Sequence, residues 1–208
     1  MFAGQFFKGW RRNLHVFDAR LAFLQTDGLP PKHWRRWAAI DYGTAAPFCC
    51  LWFAQDPSTG RRYVYRELYQ AGLTAREQAQ AILVAQNRDP ANFYVADPSM
   101  WSKVGVSSRG YEPPRSADDD YRDEGIVLRR AMNERVLGWN QVRQALALRE
   151  DGLPGVQISS TCRNLIRTLP KMMHDPHRPE DMASDHVEDH AVDTLRYGLN
   201  LSVIERPG

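Results

Sequence analysis

Three aspartates in this 208-residue chain stand where carboxylates are expensive to keep unless something positive meets them. Asp41 ends the apolar run Trp37-Ala38-Ala39-Ile40, and Asp97 ends the run Phe93-Tyr94-Val95-Ala96. Asp193 lies in Glu188-Asp189-His190-Ala191-Val192-Asp193-Thr194-Leu195-Arg196-Tyr197, a stretch that reads as a helix. A carboxylate at the end of a buried strand loses its hydration, and a cation or a hydrogen-bond donor must replace it. Two strand ends and one helix face can converge on a single point, and a divalent cation with oxygen ligands is the natural occupant.

That chemistry can be stated more closely. Two carboxylate-held Mg²⁺ or Mn²⁺ ions about 4 Å apart would grip a phosphodiester, one activating water and the other stabilising the leaving oxygen. Asp41 would bridge the ions, with Asp97 on one and Asp193 on the other. His190 lies close to Asp193 on the expected helix and could orient water or complete the coordination. Asp189 at the rim and Glu67 on an expected strand are candidates to support the ligands from behind. Each aspartate alone fits a blander role, since an aspartate after a strand is a common turn or helix-capping residue. Asp97-Pro98-Ser99 suits that role well. The three together favour the metal.

The last helix is expected from His186 to about residue 203. On an α-helical wheel Val187, Ala191, Val192, Leu195 and Leu199 share one side, and His186, Asp189, His190, Asp193, Arg196 and Tyr197 the other. Acids at i and i+4 repel. A metal offsets that repulsion, and Arg196 could do part of it.

The elements that must position these residues follow from punctuation and periodicity. Five strands are expected at residues 37–41, 48–54, 62–69, 92–97 and 156–158, and the first three form an antiparallel meander. Thr74-Ala75-Arg76-Glu77 is a capping box that starts a helix running to about residue 87. Further helices are expected over 131–149 and 160–169. Residues 111–125, with Pro113-Pro114 and Asp118-Asp119-Asp120, read as a mobile loop. Residues 1–31 read as a peripheral segment or linker with a short strand near residue 16, and 32–208 as one α/β domain with a mixed sheet.

Bulk composition excludes several classes. The chain is 43% hydrophobic and 25% charged with a net charge of +2, which suits a globular protein without an overall basic signature. The charges are uneven, because residues 175–193 hold seven acids against one arginine. Three cysteines, two of them adjacent (Cys49, Cys50) and one distant (Cys162), build no disulfide framework and predict a reducing setting. Neither a secretory leader nor a transmembrane stretch is expected. For a polyanionic substrate, Lys103, Arg109 and Arg196 are the expected phosphate contacts, with little base specificity.

Four segments together resemble a known family: Ala39-Ile40-Asp41-Tyr42-Gly43, Tyr65-Arg66-Glu67-Leu68-Tyr69, Ala96-Asp97-Pro98-Ser99, and Glu188 through Leu199 with the pattern E-D-H-x-x-D-x-L-R-Y-G. They resemble the nuclease domain of tailed-phage and prophage terminase large subunits. The resemblance implies a ribonuclease H-like fold, with a five-stranded mixed sheet flanked by helices. It implies a Mg²⁺- or Mn²⁺-dependent endonuclease that cuts concatemeric double-stranded DNA during genome packaging in the bacterial cytoplasm. Its acidic triad maps onto Asp41, Asp97 and Asp193, with His190 as an accessory. The implied partners are a terminase ATPase domain, a small terminase subunit and the portal. The sequence has no G-x-x-x-x-G-K-[ST] phosphate loop, so an ATPase motor is not expected in it.

Rival readings make their own demands. A Holliday-junction resolvase on the same fold would need a dimer. A zinc hydrolase built on His186-x-x-x-His190 would need a glutamate directly after the first histidine, where Val187 stands. A non-catalytic remnant docking onto DNA or a packaging partner would bind without cutting.

Overall fold

The computed structural model describes residues 4–103, 114–183 and 188–201. Its centre is an antiparallel meander. β2 (Arg35–Asp41) pairs with β3 (Phe48–Gln55), and β3 with β4 (Arg62–Gln70). Nearly every residue of β2 and β3 is buried, because helices cover both faces of the sheet there. Continuous apolar runs, rather than alternating ones, are what such doubly covered strands require. Cys49 and Cys50 are both buried as free thiols, pointing to opposite faces as successive strand residues must.

Parallel strands extend the meander on both sides. β5 (Tyr94–Ala96) lies beside β2, and β6 (Leu128–Arg130) beside β5. On the other edge β7 (Val156–Ser159) lies beside β4, and β1 (Val16–Phe17) beside β7. The sheet therefore has seven strands in the order β1-β7-β4-β3-β2-β5-β6, not the expected five. β1 is the short strand expected near residue 16, here joined to the sheet edge, and β6 is an unexpected edge piece of three residues, too short to show a period of its own.

Helices divide between the faces. α3 (Ala75–Gln86) and α4 (Ala117–Asp123) cover one; α5 (Arg135–Leu146), α6 (Arg163–Thr168) and α7 (His190–Leu199) cover the other. Two single turns, α1 (Arg12–His15) and α2 (Ala19–Ala22), flank β1. Phe6, Phe7 and Trp10 are buried in the core beneath α5, with Phe6 and Phe7 edge-on to Trp139. The expected capping box of α3 is present, with Thr74 and Glu77 bonded reciprocally.

The expected loop at 111–125 needs correction over its described part. Asp118, Asp119 and Asp120 form the first turn of α4, where the helix dipole favours negative charge. Ser116 caps that turn and Asp119 reaches back to the Ser116 amide at 2.8 Å. Tyr121 anchors the helix, fully buried against the sheet. The run of three acids is a helix start. Among the described residues no helix is long and apolar enough to cross a membrane.

Candidate active site

Register brings the first two aspartates together. Ile40 of β2 is paired with Ala96 of β5 in parallel, and the Asp97 amide donates to the Ile40 carbonyl at 3.0 Å. Asp41 and Asp97 therefore emerge at the carboxyl ends of neighbouring strands. Strand alternation also puts them on one face: Asp41 follows Trp37 and Ala39, Asp97 follows Phe93 and Val95, and all four apolar residues belong to the core under α5 and α7.

The third aspartate arrives on α7, which packs across β2 and β3. Two contacts fix the seat of that helix. The Trp37 indole donates to the Gly198 carbonyl at 2.8 Å. A Cβ on Gly198 would sit 2.2 Å from the Phe53 ring, so only glycine permits this approach. Asp193, in the first turn, is 9% exposed and Asp41 is 7% exposed. Of the expected polar side, Asp193, Arg196 and Tyr197 are buried along with the apolar side, and Asp189 and His190 are half-buried. The helix begins at His190; the expected start at His186, with Val187, lies outside the described residues.

The electrostatics are those of a site short of positive charge. Burial raises the Asp41 pKa to about 6. Its hydrogen bond with His190 Nδ1 at 2.9 Å works against that rise, while the charges of Asp193 and Asp97 add to it. His190 is held above its ordinary value, chiefly by the same hydrogen bond. Asp189 is raised by burial and then by Asp193. Tyr197 is also raised, by burial first, with all three aspartates adding to the effect. Three carboxylates, a fourth at the rim and a tyrosine hydroxyl thus share one field.

Each ligand candidate has one oxygen engaged among the described residues. Asp41 Oδ2 meets His190, Asp97 Oδ1 accepts from the Ser99 amide at 2.7 Å, and Asp193 Oδ1 accepts from Arg196. Asp97 thus also fills the blander role of capping the short helical turn that follows it. Among the described residues no three His, Cys, Asp or Glu side chains lie close enough to hold one ion as they stand. The donor set is nonetheless the right chemistry for a hard divalent cation: carboxylate oxygens, one imidazole, and a carboxylate pushed towards protonation by burial first and by its acidic neighbours after that.

Two of the remaining expected site residues, Glu67 and Arg196, are engaged by the scaffold. Glu67 accepts from the Asn164 and Leu165 amides at 2.9 and 2.8 Å and from the Asn164 side chain, so its carboxylate caps the start of α6. Lys103 is exposed, and Arg109 lies outside the described residues. Arg196 is 1% exposed and lies beneath α5, out of reach of a surface polyanion. Sequence reasoning missed Gly138 and Trp139 of α5, which enclose Arg196; an isolated Gly-Trp in an expected helix gives no sign of that role.

No family model matches the sequence, and no curated protein matches it. Solved structures do share its fold. The large terminase of a thermophilic bacteriophage superposes with a TM-score of 0.71 at 17% identity over 96% of this chain and 45% of that one. The chain thus spans under half the length of that protein. The nuclease domain of the P22 large terminase gives a TM-score of 0.70 at 16% identity, covering 96% of this chain and 92% of that domain. The nuclease domain of the bacteriophage SPP1 large terminase, solved with bound Mn, gives 0.55 at 17% identity over 88% and 89% of the two chains. The chain has the α/β, ribonuclease H-like fold of a large-terminase nuclease domain.

Proposed function

We propose that this chain is a metal-dependent endonuclease that hydrolyses double-stranded DNA, as in the cutting of concatemeric viral DNA during genome packaging. The observation that carries the reading is the placement of Asp41 and Asp97 at adjacent strand ends with Asp193 on the helix above, Asp41 and Asp193 buried and the charges of Asp193 and Asp97 both bearing on Asp41. The manganese-bound SPP1 domain on the same fold supports it.

Asp41, Asp97 and Asp193 would hold Mg²⁺ or Mn²⁺, and a pair of such ions would supply an activated water and a neutralised leaving oxygen. The chain's own residues do the positioning. The sheet fixes Asp41 against Asp97 through the bond from the Asp97 amide to Ile40. His190 shares a proton with Asp41 and is the group best placed to pass one to or from the reacting oxygens. Asp189 adds negative charge at the rim, and Lys103 and Arg109 are assigned to the DNA backbone. An ATPase motor, a small terminase subunit and a portal are the partners that this activity would serve.

Supercoiled plasmid incubated with Mg²⁺, Mn²⁺, Zn²⁺ or EDTA tests the proposal, comparing the native chain with Asp41→Ala. Nicking or linearisation with Mg²⁺ or Mn²⁺ that disappears in EDTA and in the variant is the expected result. Folded protein that binds DNA but leaves it intact under every metal would replace this reading with that of a docking remnant.

A further inference from the structure

A surface arginine at a nuclease site contacts phosphate, but Arg196 has no route to one. Its guanidinium lies against two rings, 4.9 Å from the centre of the Trp139 indole and 4.4 Å from that of Tyr197. Its stem fills a groove in α5 that exists because residue 138 is glycine: a Cβ there would lie 2.7 Å from Arg196 Cγ and 2.8 Å from Cδ. Burying a guanidinium this deeply is unfavourable unless its partner is worth holding.

That partner is Asp193, and the geometry of the contact is informative. A guanidinium facing a carboxylate is best satisfied by a two-pronged fork, each N–H on its own oxygen. Here Nε donates to Oδ1 at 2.9 Å, and Nη2 lies in ion-pair contact with the same oxygen at 2.7 Å. Nη1 is buried with no partner among the described residues. The fork that stability alone would select is not formed. Both nitrogens gather on one oxygen, and neither bonds Oδ2.

Building on the metal reading above, we propose that Arg196 is a positioning residue for metal binding. It clamps Asp193 by one oxygen so that the other is presented to the cation, and Gly138 and Trp139 are the cradle that holds the clamp. A residue behind a metal ligand typically changes metal affinity by about 10- to 100-fold when lost, without touching the ion.

Two variants separate this from a purely structural ion pair. Arg196→Lys keeps the charge but replaces the planar donors with a point ammonium. Gly138→Ala leaves every charge in place and displaces the arginine stem. Mn²⁺ binding is measured without DNA, by the electron paramagnetic resonance of free Mn²⁺, at fixed pH and with the folded fraction checked by circular dichroism. Wild-type protein should bind Mn²⁺, and both variants should bind it at least 10-fold more weakly while folded. If Arg196→Lys fails to fold, Gly138→Ala decides alone. Folded variants that bind Mn²⁺ as well as wild type, or more tightly, overturn the positioning role and leave the metal reading intact. Folded wild type that binds no Mn²⁺ overturns the metal reading itself, and this inference with it.

Discussion

Asp41→Asn should make the metal-free protein more stable at neutral pH while abolishing the proposed DNA cleavage. The carboxyl is 7% exposed and its pKa is raised from 3.8 to about 6. Between those values the folded state binds a proton that the unfolded state has released, so stability falls as pH rises across that window. The shift is about two units, and at about 1.4 kcal/mol per unit the full loss above pH 6 approaches 3 kcal/mol. His190 acts in the same direction. Its raised pKa contributes stability that is complete below its ordinary value near 6.5 and is lost as pH rises through the raised value. The two share a hydrogen bond and titrate as a pair, so the measurable change belongs to both. An asparagine keeps the shape and an acceptor for His190 but carries no charge to desolvate.

The assay is thermal unfolding in EDTA at pH 5 and pH 7.5. For a chain of this length about 1 kcal/mol corresponds to roughly 2–4 °C in Tm. A gain of about 1–3 kcal/mol therefore predicts Asp41→Asn unfolding roughly 2–12 °C above wild type at pH 7.5, with the gap narrowing at pH 5. Adding Mn²⁺ should raise the wild-type Tm and leave the variant unmoved, because only the wild type retains the charge that a cation relieves. A variant that unfolds at or below the wild-type temperature at pH 7.5 in EDTA would refute the account of a carboxylate held against its neighbours.

Other substitutions probe the scaffold. Gly198→Ala drives a methyl into the Phe53 ring, and overpacking of this kind should lower stability by about 1–3 kcal/mol even though alanine is the better helix former, as chemical denaturation will read. Glu67→Ala removes the acceptor for two α6 amides and should cost about 1–3 kcal/mol, yet leave Mn²⁺ affinity unchanged; weakened Mn²⁺ binding would return Glu67 to the metal site. Asp89→Ala strips the shared partner from Arg36, Arg66 and the Tyr65 hydroxyl on the opposite face of the sheet. The loss should be about 3 kcal/mol or more in urea unfolding, with no change in metal binding.

Much of the site could be read from the chain because its residues interrupt patterns. Asp41 and Asp97 are conspicuous as charges terminating apolar runs, and parallel neighbours ending in step are how such a sheet gathers side chains. The α7 motif stands out because its acids and histidine sit where a surface helix would carry mixed solvated charge. The meander was equally legible from three long apolar or alternating runs with turns between them. What stayed hidden has no local pattern. β6 is three residues whose partner lies more than thirty positions away, and its pairing is set by the sheet edge rather than by its own sequence. The triple aspartate of α4 reads as part of a mobile loop because its cap, Ser116, and its anchor, Tyr121, are unremarkable until the helix is seen. Arg196 looked like a phosphate contact because a wheel separates polar from apolar faces but cannot show that α5 covers the polar one.

That last failure bears on how the site works. A helix buried on one side can slide or roll to suit its ligand, with water filling the difference. α7 has the sheet beneath it and α5 against its other face. Glycines mark the tight points: Gly198 lies on the Phe53 ring, and Gly138 lies on the stem of Arg196. Between them the helix has little freedom to rotate, because interiors packed this closely resist displacement by even a methyl group. Asp193 is therefore held by the hydrophobic core rather than by its polar neighbours alone. The strands fix Asp41 and Asp97 just as firmly through their ladder. Repulsion among the three cannot be relieved by moving the backbone, which leaves protonation or a cation. The raised pKa of Asp41 is the protonated answer. In the reading proposed here a divalent metal is the other, and the proton released on binding links the two states.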